Sequence, residues 1–177
     1  MLPFSRNQFK AWSATRRIPS GRQWHLVCDV DGVLTDGKFH YSNEGKAFKV
    51  FGAHDADALK ESSFFNAVTF ISADKRGYEI SSRRVQDMGF ELSLKSPSER
   101  LKLITDLKLV SNVLFIGDSF SDIPALKEAT LSAVPRSAYP AARRVADIRL
   151  QLRGGEGAVA ELLHLFQFKS TKTGESF

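Results

Sequence analysis

The chain has 177 residues, 42% of them hydrophobic and 25% charged, which supplies the core of one globular domain and excludes a disordered chain. A single cysteine, Cys28, excludes an intramolecular disulfide and a thiolate metal cluster, so a reducing, cytoplasmic setting is expected. The net charge of +5 is unevenly placed, because Arg6, Lys10, Arg16, Arg17 and Arg22 all precede the first acidic residue, Asp29.

In chain order, residues 1–22 read as a basic extension with no apolar run long enough for a secretory or membrane-spanning segment. A basic arm suits anionic partners. No nucleic-acid motif accompanies it, so it reads as a solvated extension packed on the domain or on a neighbouring subunit, with neither nucleic acid nor membrane as partner. Residues 23–168 form the expected domain, and 169–177 a flexible polar tail.

Within the domain, apolar runs at residues 24–30, 68–72, 91–94, 113–117 and 131–134 predict strands. Residues 38–41 and 47–50 flank Ser42-Asn43-Glu44-Gly45 and predict a β-hairpin projecting just after the first strand. Ile80, Val85 and Met88 give residues 78–88 an apolar helical side, and Leu101, Ile104 and Leu107 share a face of the next helix. That helix starts at Ser96-Pro97-Ser98-Glu99, which supplies an N-cap, a proline at the first helical position and the returning glutamate of a capping box. Strands alternating with helices require crossovers, so the expected fold is α/β with a parallel sheet covered on both faces. Ligands in such sheets bind beyond the carboxyl ends of the strands.

Two aspartate clusters sit at those ends. Cys28-Asp29-Val30-Asp31-Gly32 places two carboxylates where an apolar strand meets a glycine-containing turn, and Ile116-Gly117-Asp118-Ser119-Phe120-Ser121-Asp122 repeats the pattern. Carboxylates at a buried strand end are costly unless paired, and a divalent cation pairs them. An aspartate set with water and substrate oxygens suits octahedral Mg²⁺. Taken singly, each aspartate reads first as a turn residue or cap; two clusters on separate strands favour the metal. His25, His40, His54 and His164 are scattered and read as surface or packing residues, with His54 alone left open.

Asp29-Val-Asp31-Gly-Val-Leu-Thr-Asp36-Gly, Gly117-Asp118-x-x-x-Asp122 and Gly154-Gly155-Glu156-Gly157-Ala158-Val159 together resemble the haloacid dehalogenase (HAD) superfamily. Within it they are similar to the small capless phosphatases typified by 3-deoxy-D-manno-octulosonate 8-phosphate phosphatase. The resemblance implies a Rossmann-like three-layer sandwich, Mg²⁺, a phosphoaspartyl intermediate, a small phosphorylated substrate of the sugar-acid class and a homotetramer.

By the same resemblance Asp29 is the nucleophile and Asp31 the general acid and base. The metal is held by Asp29, the Asp31 carbonyl and Asp118, with Asp122 orienting that shell. Ser72, followed by Ala73, matches the phosphate-binding position. The phosphate-clamping lysine of the family falls at Arg100, with Lys102 second. Departures from the family lie around substrate: Ala73-Asp74-Lys75-Arg76 follows Ser72, His54-Asp55-Ala56-Asp57-Ala58 follows the hairpin, and Ala160-Glu161 ends the glycine motif. These keep open a nucleotide or other phosphometabolite as substrate, and a non-catalytic binding or regulatory module.

Only 41 positions separate Asp31 from Ser72 and 46 separate Ser72 from Asp118, which leaves no room for a cap domain. An uncapped site then takes either a large substrate or, as favoured, a lid from another subunit, and Phe39, Tyr41, Phe48, Val50 and Phe51 of the hairpin are apolar residues that either a neighbour or their own subunit would bury.

Overall fold

The computed structural model describes residues 22–170, with side chains through Phe166. The basic extension, apart from Arg22, and most of the polar tail lie outside the described residues.

Strand β1 (Trp24–Asp29) runs through the middle of a six-stranded parallel sheet. Its apolar run has no polar face because helices cover both sides. The chain then forms an antiparallel hairpin, β2 (His40–Ser42) and β3 (Gly45–Phe48), and a helix, α1 (His54–Glu61). It returns as β4 (Ala67–Ser72), α2 (Tyr78–Asp87), β5 (Leu92–Leu94), α3 (Pro97–Lys108) and β6 (Asn112–Ile116). The sheet is completed through α4 (Ile123–Glu128), β7 (Leu131–Val134), α5 (Pro140–Val145) and β8 (Ile148–Arg149), and α6 (Ala158–Ser170) closes the described chain. Strand order is β5-β4-β1-β6-β7-β8. After β1 the chain builds outward on one side through β4 and β5, then crosses back to β6 on the other. The crevice where the order reverses therefore opens beyond the carboxyl ends of β1 and β6.

Alternation along the strands divides the core in two. Leu26 and Cys28 of β1, Phe70 of β4, and Leu114 and Ile116 of β6 point to the layer built by α1, α2 and α6, where Leu162 and Phe166 are fully enclosed. Val27, Ile71, Val113 and Phe115 point the other way, onto Ile104 of α3, Leu126 of α4 and Ala142 of α5. The result is the expected three-layer sandwich without a cap domain. Among the described residues no helix is long and apolar enough to cross a membrane.

All five expected strands form within a residue or so of their expected bounds. Four elements, α1, α5, β8 and α6, have no counterpart among those expected; of these, β8 is two residues long and α1 carries polar residues at most of its positions. The hairpin is tighter than its sequence pattern suggests, with a register irregularity between His40 and Tyr41. Phe51 departs from the expected outward aromatics: it packs against its own subunit's core, and its backbone bridges to Thr35.

The capping box at α3 forms in full. Ser96 Oγ accepts from the Glu99 N–H at 3.4 Å, and the Glu99 carboxylate accepts from the Ser96 N–H at 2.8 Å. At the far end Arg22 donates to the carbonyls of Lys108 and Leu109, a cationic C-cap. Replacing Ser96 with Ala is expected to lower stability by about 1 kcal/mol in urea denaturation. Because Arg100 lies in the first turn of α3, the same variant should also lose activity before it loses helix content.

Candidate active site

The first cluster is set by β1. Asp29, its last residue, is 4% exposed, and the chain turns at once: the N–H groups of Val33, Leu34 and Thr35 all reach the Val30 carbonyl. Thr35 Oγ1 accepts from the N–H of Gly32 and Gly37 and ties the loop to itself. Gly32 has φ +89°, and a Cβ there would lie 2.0 Å from Asp118 Oδ2. Glycine is required for the two aspartate clusters to approach each other.

The second cluster follows β6. Asp122 is fully buried, and one of its oxygens, Oδ2, accepts from the Asp118 N–H, the Ser119 N–H and Ser119 Oγ at 2.8 to 3.0 Å. Its other oxygen is taken by Arg100 Nη1. Arg100 Nη2 donates to Asp29 Oδ1 at 3.0 Å, so one buried guanidinium joins the two clusters. A lysine has one nitrogen and cannot make both contacts by a planar fork. Lys102 is not part of this arrangement: its side chain stands on the exposed face of α3, paired with Asp106 at 2.7 Å.

Asp31 sits across the crevice. Its Oδ2 accepts from Ser72 Oγ at 2.7 Å and its Oδ1 from Lys49 Nζ at 2.6 Å. Ser72, buried at the end of β4, also accepts from the Asp74 N–H. Asp74 forms ion pairs with Lys46 at 2.5 Å and Lys49 at 2.9 Å. Burial alone would raise its pKa, but the two ammonium groups outweigh this and hold it below the usual carboxylate range. Together Asp29, Asp31, Asp74, Asp118, Arg100, Lys46 and the exposed Ala73 line a cleft of about 390 Å³, with Phe39, Ser119 and Ser121 at its sides.

Neither Lys46 nor Lys49 stood out in the sequence. Lys49 lies between Phe48 and Val50, two of the apolar residues expected to face outward; these are 55% and 45% exposed, whereas Lys49 turns inward and is 8% exposed. His54 lies outside the cleft, on a separate hollow between α1 and α6 that also receives His164. The C-terminal glycine motif braces the loop after Asp31 within the same chain. Gly155 N–H donates to the Val33 carbonyl, and a Cβ on Gly154 would lie 1.9 Å from the Gly32 oxygen.

Five carboxylates thus meet three cations, and the surplus of two negative charges suits one divalent ion. Oxygens of Asp29, Asp118 and Asp122 lie within 4.8 Å of one another and could hold it. Asp29 and Asp118 fit this best, because both Asp122 oxygens already accept hydrogen bonds. Burial pushes Asp29 up to about 7, opposed by Arg100 and reinforced by Asp118 and Asp31; burial likewise pushes Asp118 up to about 6 against the pull of Arg100. Two hard-oxygen groups that are costly to ionise unaided are the donors expected of a Mg²⁺ site.

No family model matches the chain. Among curated proteins it is 32% identical over 143 residues to the 3-deoxy-D-manno-octulosonate 8-phosphate phosphatase KdsC of Haemophilus influenzae, spanning 77% of this chain and 78% of that one. It is 29% identical over 156 residues to the protein of the same name from Salmonella typhi, covering 85% and 82%. Among solved structures, the cobalt-bound form of the deoxy-D-mannose-octulosonate 8-phosphate phosphatase of Haemophilus influenzae matches with a TM-score of 0.70 at 26% identity, over 88% of this chain and 94% of that one.

The raised carboxylates set a pH dependence. In metal-free protein the stability they contribute is complete below the ordinary value of 3.8 and is lost as pH rises through about 6 for Asp118 and about 7 for Asp29. A bound divalent ion removes that loss. The rise in Tm on replacing chelator with Mg²⁺ should therefore be larger at pH 8 than at pH 5 in thermal denaturation; equal rises at both would rule out this pair as ligands.

Proposed function

The chain belongs to the 3-deoxy-D-manno-octulosonate 8-phosphate phosphatase family of the haloacid dehalogenase superfamily, and from that premise we propose that it hydrolyses a small sugar-acid phosphate, 3-deoxy-D-manno-octulosonate 8-phosphate or a close relative, with Mg²⁺ as cofactor. It is a phosphoric monoester hydrolase of the haloacid dehalogenase type. The single observation that carries the reading is the joining of Asp29 and Asp122 by Arg100, with Asp31 and Asp118 on the same crevice.

In this reading the Asp29 carboxylate attacks phosphorus as the bond to the leaving oxygen breaks, and Asp31 gives that oxygen its proton. The resulting phosphoaspartyl group is then hydrolysed: Asp31 takes a proton from water, the water oxygen bonds to phosphorus, and phosphate leaves with Asp29 restored. Asp29, the Asp31 carbonyl and Asp118 would hold the metal, and Asp122 orients Asp118 through the turn it caps. When bound, Mg²⁺ supplies neutralisation of the phosphoryl charge. Arg100 keeps Asp29 aimed and presents positive charge to the phosphoryl oxygens, while Ser72 and the backbone at Ala73 receive the phosphate; Lys102 stays outside.

The domain is taken to span residues 23–168, between a basic extension at 1–22 and a polar tail at 169–177, in a cytoplasmic homotetramer. The tetramer draws support from the outward Phe39, Tyr41, Phe48 and Val50 beside an open cleft. One observation favours a second substrate reading, a phosphorylated sugar or other phosphometabolite without a carboxylate. Lys46, Lys49 and Arg100 are each already matched to an aspartate, so the described residues of the cleft present a substrate carboxylate with no unmatched cation.

A panel of phosphorylated sugar acids, neutral sugar phosphates and nucleotides, assayed with Mg²⁺, separates these readings. The sugar-acid phosphate is expected to have the highest kcat/KM, and Asp29→Asn is expected to remove turnover of every ester, a loss on the order of 10⁴-fold or more. Retained activity in that variant would sink the nucleophile. Light-scattering mass is expected at four times the chain mass; a monomer that still selects among small sugar phosphates would refute the subunit-supplied lid.

A further inference from the structure

Lys49 is the most completely buried cation beside the cleft, with its side chain 1% exposed. A desolvated ammonium is costly unless all three of its N–H groups find acceptors. Here Asp31 Oδ1 at 2.6 Å and Ser81 Oγ at 2.8 Å accept hydrogen bonds from it, and Asp74 Oδ2 adds an ion pair at 2.9 Å. The fit requires Gly77, where a Cβ would lie 2.6 Å from Lys49 Cε and 2.4 Å from Asp74 Oδ2. Fastening the hairpin to the body does not need this lysine, since Lys46 already does so through Asp74 at 2.5 Å. What Lys49 adds is a grip on Asp31. With Lys49 on one oxygen and Ser72 on the other, the carboxylate can neither rotate about its own axis nor swing out of the cleft.

We propose that Lys49 is a positioning residue of the reaction: with Ser72 it fixes the Asp31 carboxylate in the orientation from which protons pass to the leaving oxygen and from the attacking water. The assignment rests on the role given to Asp31 above. It also gives the hairpin a second duty, because the segment that presents apolar residues outward delivers the lysine inward.

The test is the dependence on leaving group in Lys49→Met, which keeps the length of the side chain and removes its donors. An alkyl phosphate that the wild-type chain turns over needs a proton on its leaving oxygen, whereas 4-nitrophenyl phosphate departs without one. In single-turnover measurements with Mg²⁺, the variant is expected to lose about 10- to 100-fold with the alkyl ester and only a few-fold with the aryl ester, at nearly unchanged KM. Asp31→Asn should show the same alkyl-selective loss, and adding Lys49→Met to it should leave the ratio of the two esters where Asp31→Asn put it. Equal losses for both esters, or a further change of ratio in the double variant, would overturn the assignment. Should Lys49→Met not fold, Ser81→Ala keeps the lysine while removing one acceptor. It is expected to shift the ratio in the same direction by less, and an unshifted ratio would count against the proposal. No turnover by the wild-type chain would end the phosphatase reading and this assignment together, whereas turnover with an unaltered ratio in the variants would end this assignment alone.

Discussion

Carboxylates crowd the carboxyl edge of this sheet beyond what its own cations neutralise, and most of the local architecture answers that crowding. Asp29 and Asp122 are nearly sealed from water, where like charges repel strongly and hydration is lost. Arg100 is drawn between them from the first turn of α3, and Lys49 and Lys46 are drawn inward from the hairpin to Asp31 and Asp74. What remains uncompensated has the charge and hardness of one divalent ion. The glycines follow from the same demand, since Gly32, Gly77 and Gly117 each stand where a side chain would occupy the space of a carboxylate.

The parts of this arrangement legible in the sequence were those written locally. An aspartate pair after an apolar strand, a second after another strand, and a serine-proline-serine-glutamate start are short patterns whose meaning does not depend on distant chain. Arg100 was a near case: its place in the first turn of α3 could be read, but its buried fork across two clusters depends on β1 and β6 being neighbours. Lys49 could not be read, because nothing local marks that lysine as buried. Its burial arises from a field of carboxylates that only the folded chain assembles. The sequence signal that could have found it is Gly77, a small residue in a charged turn, but it gains meaning only beside the lysine. Of the unexpected elements, β8 and α1 escaped for a simpler reason, being short or mostly polar and held by their neighbours rather than by their own periodicity.

The hairpin therefore faces two ways. Inward it carries ammonium groups to aspartates; outward it exposes aromatic and aliphatic side chains that a monomer would normally cover. Its geometry is fixed from the inside by charge, so whatever packs on its outer face meets a surface whose position is set by the same contacts that order the cleft. Association and catalysis would then share a part without a long relay between them.

The brace from Gly154 and Gly155 onto the loop after Asp31 has a consequence for how the protein comes into being. The aspartates, Lys49 and Arg100 have all been synthesised by residue 122, and β1 and β6 can pair soon afterwards. The backbone that closes on the first loop arrives some thirty residues later, with α4, β7, α5 and β8 still to be laid down between. Contacts between such distant parts of a chain form late because the intervening loop must first be closed. A growing chain thus carries its full set of reactive groups before it carries the strap that holds them in register, and the final tightening of the crevice belongs to the last stage of folding.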